Sequence, residues 1–181
     1  MDFKTKKAFG DIKPAAIKAV VDSPAFRAWF GQSKIINQEG EPVVCYHGTG
    51  GSFSEFKVSP HGEYGQGIYL SFRPESAHLW ATLAGARNES VQIMPLYIKM
   101  EKPFIVSKLD LHEMALEDDG EGEPIGMNEV HRRLKLQGYD GIIGTGLVES
   151  DKQIVVFSAN QLKSAIANSG EFDPQSADII K

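Results

Sequence analysis

A histidine placed where a short apolar run meets glycines is the first residue of this sequence suited to chemistry. His47 ends the run Val43–Tyr46 and is followed by Gly48, Thr49 and two further glycines. Because glycine has no side chain, a ligand there can reach a ring nitrogen together with uncovered backbone N–H and C=O groups. The pattern also fits a histidine that bonds a neighbouring carbonyl beside a glycine turn.

A tyrosine in the stretch EYGQGIYLS is the second such residue. Gly65 and Gly67 allow the backbone to pass close to another group, and Tyr69 projects from the strand that follows. Its ring offers a flat face for stacking on a planar ligand, although it also fits an ordinary core position. The glycines enter a β-branched and aromatic run rather than a helix, which excludes a dinucleotide fingerprint of the Rossmann type.

The elements that must position these residues are predicted from the spacing of apolar side chains and from Pro and Gly at element ends. The predicted strands span 42–47, 67–72, 91–100, 103–106, 139–143 and 153–157. The predicted helices span 11–23, 22–33, 73–86 and 127–138. Because strands and helices do not alternate regularly, the pattern favours an α+β fold over a doubly wound sheet.

Three parts of the chain are predicted. Residues 1–40 form an N-terminal helical lead-in packed on the core, 41–173 form the main domain, and 174–181 form a tail. The segment 107–126 is acidic and rich in glycine in its second half, so we expect a surface excursion. The last eleven residues show little periodicity, so we expect a loosely held end.

Composition excludes several classes of protein. The net charge of −5 for 181 residues weakens the case for non-specific duplex binding, which relies on Lys and Arg. The single cysteine, Cys45, allows neither a disulfide framework nor a cysteine metal site. No apolar run is long enough for a membrane span and no signal peptide is recognised, so we expect a cytoplasmic protein. The other histidines lack ligand spacing, and we expect no metal.

Taken together, YHGT, YGQGIYLS and the downstream ESAHLW resemble the ADP-ribosyltransferase superfamily, in the diphtheria-toxin and poly-ADP-ribose-polymerase branch with a His, Tyr, Glu triad. The segments SPAFRAWFGQSKIINQEGEPVVCYHGT and QIVVFSANQLKSA are similar to the ADP-ribosyltransferase domains of polyvalent proteins of phages and mobile elements. The resemblance covers roughly residues 23–173. It implies a split antiparallel β-sheet with flanking helices, and it makes 41–173 a catalytic domain.

The resemblance also implies that the substrate is NAD and assigns roles to individual residues. His47 would hydrogen-bond the adenosine ribose, Gly48 would hold the nicotinamide carboxamide, and Tyr69 would stack on the nicotinamide ring. The implied cofactor-binding set is His47, Gly48, Thr49, Gly67, Tyr69 and Ser76, and the implied catalytic set is His47, Tyr69 and Gln153. The second stacking tyrosine of the polymerases is replaced by Leu79, so the nicotinamide sandwich is one-sided or completed by another residue.

The third triad residue departs from the family pattern, because Gln153 stands where a glutamate is expected. A carboxylate stabilises the positive charge that develops on the ribose, whereas an amide supplies neither charge nor base. Three explanations remain open: Gln suffices or Glu149 or Asp151 supplies the charge, the protein only binds NAD or ADP-ribose, or the sequence is a deliberately disarmed variant.

The leading hypothesis is a mono-ADP-ribosyltransferase of toxin or phage-effector type that modifies a macromolecule, either protein or RNA. Glu149 and Asp151, in the loop before Gln153, are the candidate acceptor contacts. An antitoxin or immunity protein is a possible partner, and no membrane is involved. The alternatives are a non-catalytic NAD or ADP-ribose binding module and an interaction domain whose glycines only form turns.

Overall fold

The computed structural model describes residues 19–85, 90–145 and 152–181. Its helices are α1 (Pro24–Phe30), α2 (Pro74–Leu83), α3 (Lys108–Ala115) and α4 (Gly126–Leu136). Its strands are β1 (Cys45–Thr49), β2 (Ile68–Ser71), β3 (Gln92–Ile98), β4 (Pro103–Ser107), β5 (Gly141–Thr145), β6 (Gln153–Val156) and β7 (Leu162–Ser164). A 3₁₀ turn, Ala159–Gln161, precedes β7. In the described part of the chain, no helix is long and apolar enough to cross a bilayer.

The strands form one sheet in the order β4-β5-β6-β2-β1-β3-β7. Pairings are antiparallel except that β4 and β5 run parallel, and α3 and α4 provide the crossover that a parallel pair requires. The central strands β1 and β2 pair only at Tyr46 and Ser71, whereas β1 and β3 pair along the whole of β1. The sheet is therefore divided at its centre. The predicted α+β class and split sheet are confirmed.

Alternating side chains of the strands supply apolar cores on both faces of the sheet. Ile154 and Val156 pack in one core, while Val155 between them packs with residues of α3 and α4 in the other. A third cluster joins α1 to the sheet, since Phe26 and Trp29 are buried against Tyr97. The sheet is thus covered on both faces around the position where it divides.

Capping signals explain why α1 begins where the sequence predicts. The Ser23 side chain accepts a hydrogen bond from the Phe26 backbone N–H at 3.2 Å, and Pro24 occupies the first turn. Gly138, predicted to end α4, has a φ of +82° just beyond it. Of the first predicted helix, residues 19–21 are helical, and the rest lies outside the described residues.

The structure corrects two expectations about irregular segments. The surface excursion predicted over 107–126 is exposed at 116–124, but its first half is helix α3, capped by the Ser107 side chain and anchored by the fully buried Leu111. The last residues are not loosely held, because Phe172 and Ile179 are buried in the core. Strand β7 was not predicted, since three residues carry too little pattern.

Candidate functional site

A cavity of about 800 Å³ opens where the sheet divides. Strands β1 and β2, helix α2 and the segment 53–63 form its walls, and the first residue of β6 contributes to it. Its volume lies within the range of pockets that hold small-molecule ligands. The three predicted triad residues His47, Tyr69 and Gln153 line it, and so do the motif glycines Gly48 and Gly67.

The His47 ring spans the gap between β1 and β2. Its Nδ1 lies 2.8 Å from the carbonyl oxygen of Tyr69, which can only accept, so Nδ1 carries the proton. Burial lowers the pKa of His47, so the ring is neutral at pH 7 and Nε2 keeps its lone pair. The ring contacts Phe56 edge-on, with centroids 4.9 Å apart. His47 is therefore fixed as a hydrogen-bond acceptor in the cavity wall.

The Tyr69 hydroxyl is bound to the loop that precedes its strand. It donates to the carbonyl oxygen of Gly65 and accepts from the backbone N–H of Tyr64 at 3.1 Å. The backbone of Gly62 lies so close to the ring that a Cβ at this position would overlap it. Burial raises the pKa of Tyr69 to about 12, so the hydroxyl remains protonated at neutral pH. Tyr69 both lines the cavity and holds loop 59–67 in place.

The glycines of the two motifs make close contacts within the protein. A Cβ at Gly48 would overlap the carbonyl oxygen of Ala77 in α2, and one at Gly67 would overlap the Val155 side chain. The backbone N–H and C=O of Gly67 both pair with Ser59, so they are not free for a ligand. The expected cofactor contact of Gly67 is thus limited to its Cα. Gly65, at a φ of +82°, packs under α4.

Gln153 has an acidic neighbour that the sequence did not reveal. Its Nε2 donates to Oε2 of Glu63 at 3.3 Å, and Oε1 of Glu63 accepts from Lys108 Nζ at 2.8 Å. The Lys108 hydrogen bond holds the pKa of Glu63 below its usual range. Glu63 is 90 residues from Gln153 in the chain, so no local motif could have indicated the pair. The structure places both side chains in the same cavity wall.

Other predicted site residues lie elsewhere. Thr49 and Ser76 do not line the cavity, and the Thr49 hydroxyl accepts from the N–H of Gly51. Leu79 is exposed on α2, whereas its neighbour Trp80 lines the cavity. The predicted acceptor contacts Glu149 and Asp151 lie outside the described residues.

Aromatic side chains form a wall that the sequence analysis did not assign. Phe53 and Phe56 pack edge-on with centroids 4.8 Å apart, and both line the cavity, as does Trp80. The repeated Phe in the stretch SFSEF was the only sequence signal for this wall. Within residues 19–85, 90–145 and 152–181, no group of His, Cys, Asp and Glu is arranged to bind a metal ion.

A model of ADP-ribosyltransferase domains in polyvalent proteins matches residues 37–172, the greater part of the chain. No curated protein and no solved structure matches the chain significantly. The matched range contains the divided sheet, the cavity and both of its motif strands. The chain therefore belongs to the family of ADP-ribosyltransferase domains in polyvalent proteins, a family of transferases that use NAD as substrate.

Proposed function

We propose that this protein transfers a single ADP-ribose unit from NAD to a macromolecule, using the cavity at the divided sheet. The observation that carries the proposal is that His47 and Tyr69, on the adjacent strands β1 and β2, both line that cavity and are both held by hydrogen bonds. A hydrogen-bond acceptor and a flat ring, both held in place, match a ribose hydroxyl and a nicotinamide ring.

His47 hydrogen-bonds the adenosine ribose in this proposal. Its Nε2 is the acceptor nitrogen because Nδ1 donates to the Tyr69 carbonyl. A ribose hydroxyl is a donor, so it complements Nε2. The role requires the neutral ring, which the burial of His47 favours.

Tyr69 and Gly48 hold the nicotinamide. The ladder between β1 and β2 does not continue to these two residues, so NAD can bind between the strands there. Stacking on the Tyr69 ring orients the nicotinamide, and the backbone of Gly48 binds its carboxamide. Trp80 supplies the aromatic surface that Leu79 lacks, since it lines the same cavity from α2.

The acceptor is a protein in our proposal. The chain is acidic overall, and two of its arginines on α4 are engaged in ion pairs. Arg132 and Arg133 both bond Glu129, at 2.6 and 3.1 Å, and Arg133 also bonds Glu117. Partly offset cations contribute little to phosphate binding. We further propose an effector of toxin or phage type that acts in the cytoplasm and is controlled by an antitoxin or immunity protein.

Nicotinamide release tests the enzymatic part of the proposal. We expect the purified protein to release nicotinamide from NAD, and His47→Ala and Tyr69→Ala to abolish release and NAD-dependent thermal stabilisation. Leu79→Ala on the exposed face of α2 is the control and should behave as the wild type. Release that persists in both cavity variants would contradict the proposal.

Labelled NAD incubated with whole-cell extract identifies the acceptor. We expect label in protein that is sensitive to protease, and label in nuclease-sensitive material would show that the acceptor is RNA. The chemistry of Gln153 also favours a second candidate function, a module that binds NAD without cleaving it. Thermal stabilisation by NAD without any nicotinamide release would favour that module.

A further inference from the structure

A carboxylate lies beside the neutral third position of the predicted triad. Glu63 Oε2 lies 3.3 Å from Gln153 Nε2, and both residues line the cavity together with Tyr69. The charge of Glu63 also contributes, after burial, to the raised pKa of Tyr69. The Glu63 carboxylate is therefore close enough to interact electrostatically with the Tyr69 side chain, on whose ring the nicotinamide stacks in the proposed function.

We propose that Glu63 is the catalytic carboxylate of this site, supplied by loop 59–67 to the place where Gln153 is neutral. This inference rests on the proposed ADP-ribosyl transfer and adds a residue from a different element of the fold. Gln153 then acts as a positioning residue, because its amide N–H₂ binds the Glu63 carboxylate.

The arrangement explains why an amide is suitable at position 153. A carboxylate in place of the Gln153 amide, whose Nε2 lies 3.3 Å from Glu63, would repel Glu63, and the pKa of one of the two would rise. Glutamine instead donates to Glu63 and leaves its own carbonyl oxygen as an acceptor for a ribose hydroxyl. Glu63 and Gln153 together thus provide the charge and the hydrogen bond that a single glutamate would provide.

Loop 59–67 is fixed well enough to place a catalytic group. Ser59 and Gly67 pair through two backbone hydrogen bonds at its base. Lys108 on α3 bonds the Glu63 side chain, and the His112 ring bonds the carbonyl oxygen of Glu63 at 3.2 Å. The Tyr69 hydroxyl binds the loop at Gly65. Such contacts hold the carboxylate in place before substrate binds.

The groups around Glu63 favour its ionised form. The Lys108 side chain, the Gln153 amide and the His112 ring each lower its pKa, and burial opposes them. The phenols of Tyr64 and Tyr69 also lie near it, since its charge raises the pKa of both. The Lys108 hydrogen bond makes the largest contribution to lowering the pKa of Glu63. Glu63 is therefore an anion at the pH where the positively charged ribose must be stabilised.

In the chemical step, the Glu63 carboxylate first stabilises positive charge and then acts as a base. The bond between the nicotinamide nitrogen and the ribose C1′ breaks, and its electron pair neutralises the pyridinium charge of the departing nicotinamide. The positive charge that develops on the ribose is stabilised by the Glu63 carboxylate. An acceptor nucleophile bonds C1′ from the opposite face, and its proton passes to Glu63 and then to water.

Moving the charge between the two positions tests the proposal. Glu63→Gln should lower nicotinamide release by about 10²–10³-fold while NAD still raises the melting temperature. The double variant Glu63→Gln, Gln153→Glu should recover most of that loss, because it restores a carboxylate to the same part of the cavity, at the position that is neutral in the wild type. Glu129→Gln, which removes a carboxylate ion-paired with arginines on α4 and outside the cavity lining, is the matched control and should leave release unchanged.

The pH profile separates a catalytic role from a structural one. Release by the wild type should fall with decreasing pH as Glu63 becomes protonated. Lys108→Met removes the cation that lowers this pKa, so the acidic limb should move to higher pH. If the acidic limb of the pH profile is unchanged in Lys108→Met, or if Glu63→Gln is as active as the wild type, the catalytic role of Glu63 is overturned but the proposed transfer is not. No release by the wild type would overturn it together with the proposed transfer.

Discussion

At the scale of single residues, the motif residues make structural contacts within the protein as well as lining the cavity. The His47 ring takes the place of a strand-to-strand hydrogen bond, and the Tyr69 hydroxyl holds loop 59–67. Gly48 lets α2 approach β1 at backbone distance. Substitutions in these motifs therefore change stability as well as ligand binding.

Tyr69→Phe should destabilise the protein by about 1–2 kcal/mol, because Gly65 loses its donor and Tyr64 loses its acceptor. Nicotinamide release should fall as well, since the loop that carries Glu63 is less firmly held. Urea unfolding measures the first effect. Tyr139→Phe removes a hydroxyl beside Phe104, away from the cavity, and should change stability by less than about 0.5 kcal/mol.

Gly48→Ala should cost about 1–3 kcal/mol or more, because the new methyl group overlaps the Ala77 carbonyl and a backbone atom cannot easily move. Gly51→Ala is the matched control three residues away. No atom lies within 4 Å of a Cβ built there, so we expect a change within about 0.5 kcal/mol. Equal stability of the two variants in urea would show that α2 does not press on β1.

At the scale of elements, helix α4 supports the loop that carries Glu63. The His131 Nε2 donates to the carbonyl oxygen of Tyr64 at 2.6 Å, and Met127 lies against Gly65. The Nδ1 of His131 is buried and has no hydrogen-bond partner in the part of the chain that the structure describes. A proton on Nδ1 would place a positive charge there without an acceptor.

The free energy of unfolding should therefore fall as the pH drops below the ordinary histidine value. Burial lowers the pKa of both His131 and His47, so the unfolded chain binds more protons in that window and gains stability relative to the native state. Measurement at pH 7.5 and 5.5 avoids most of the carboxylate titration. His131→Gln should reduce the dependence on pH, and the remainder should belong to His47.

An equal dependence on pH in the wild type and His131→Gln would contradict the role of His131. Lys135, on the same helix, also lowers the pKa of His131, though less than burial does. Lys135→Gln should accordingly produce only a small change in the same direction. The comparison thus distinguishes burial from the neighbouring charge.

Elements whose signals are local could be predicted from the sequence, and contacts between distant segments could not. Ser23 and Pro24 begin α1 because capping depends on adjacent residues. Helix α3 was missed because only one of its side chains, Leu111, is buried, so its apolar periodicity is weak. The acidic, glycine-containing residues that follow it indicated a loop instead. His47, Tyr69 and Gln153 could be proposed from their motifs, whereas Glu63 could be proposed only from its contacts with Lys108 and Gln153 in the folded chain.

At the scale of the whole molecule, the C-terminal segment supports the cavity from outside. The Ile179 N–H donates to the Ser54 carbonyl at 2.8 Å, and the backbones of Asp178 and Glu55 form an isolated antiparallel β-bridge. The buried Lys163 holds this segment through the carbonyl oxygens of Ser176 and Asp178. The wall that contains Phe53 and Phe56 is therefore attached to the last residues of the chain.

Ile179→Ala should lower both stability and affinity for NAD. The Ile179 side chain is 4% exposed and packs in the same core as Phe56, whose ring contacts His47. Truncating a buried isoleucine costs about 2–5 kcal/mol. Because Phe56 loses part of its support, His47 should also be held less firmly, and the apparent dissociation constant for NAD should rise.

The adjacent Ile180→Ala provides the control, since that side chain is 41% exposed and its loss should change stability by no more than about 0.5 kcal/mol. Urea unfolding and NAD titration of both variants separate the two effects. A destabilised Ile179→Ala that binds NAD as tightly as the wild type would show that the cavity wall is independent of the C-terminal segment. Weaker binding in Ile179→Ala alone would show that residues distant in sequence from both motifs set the position of His47.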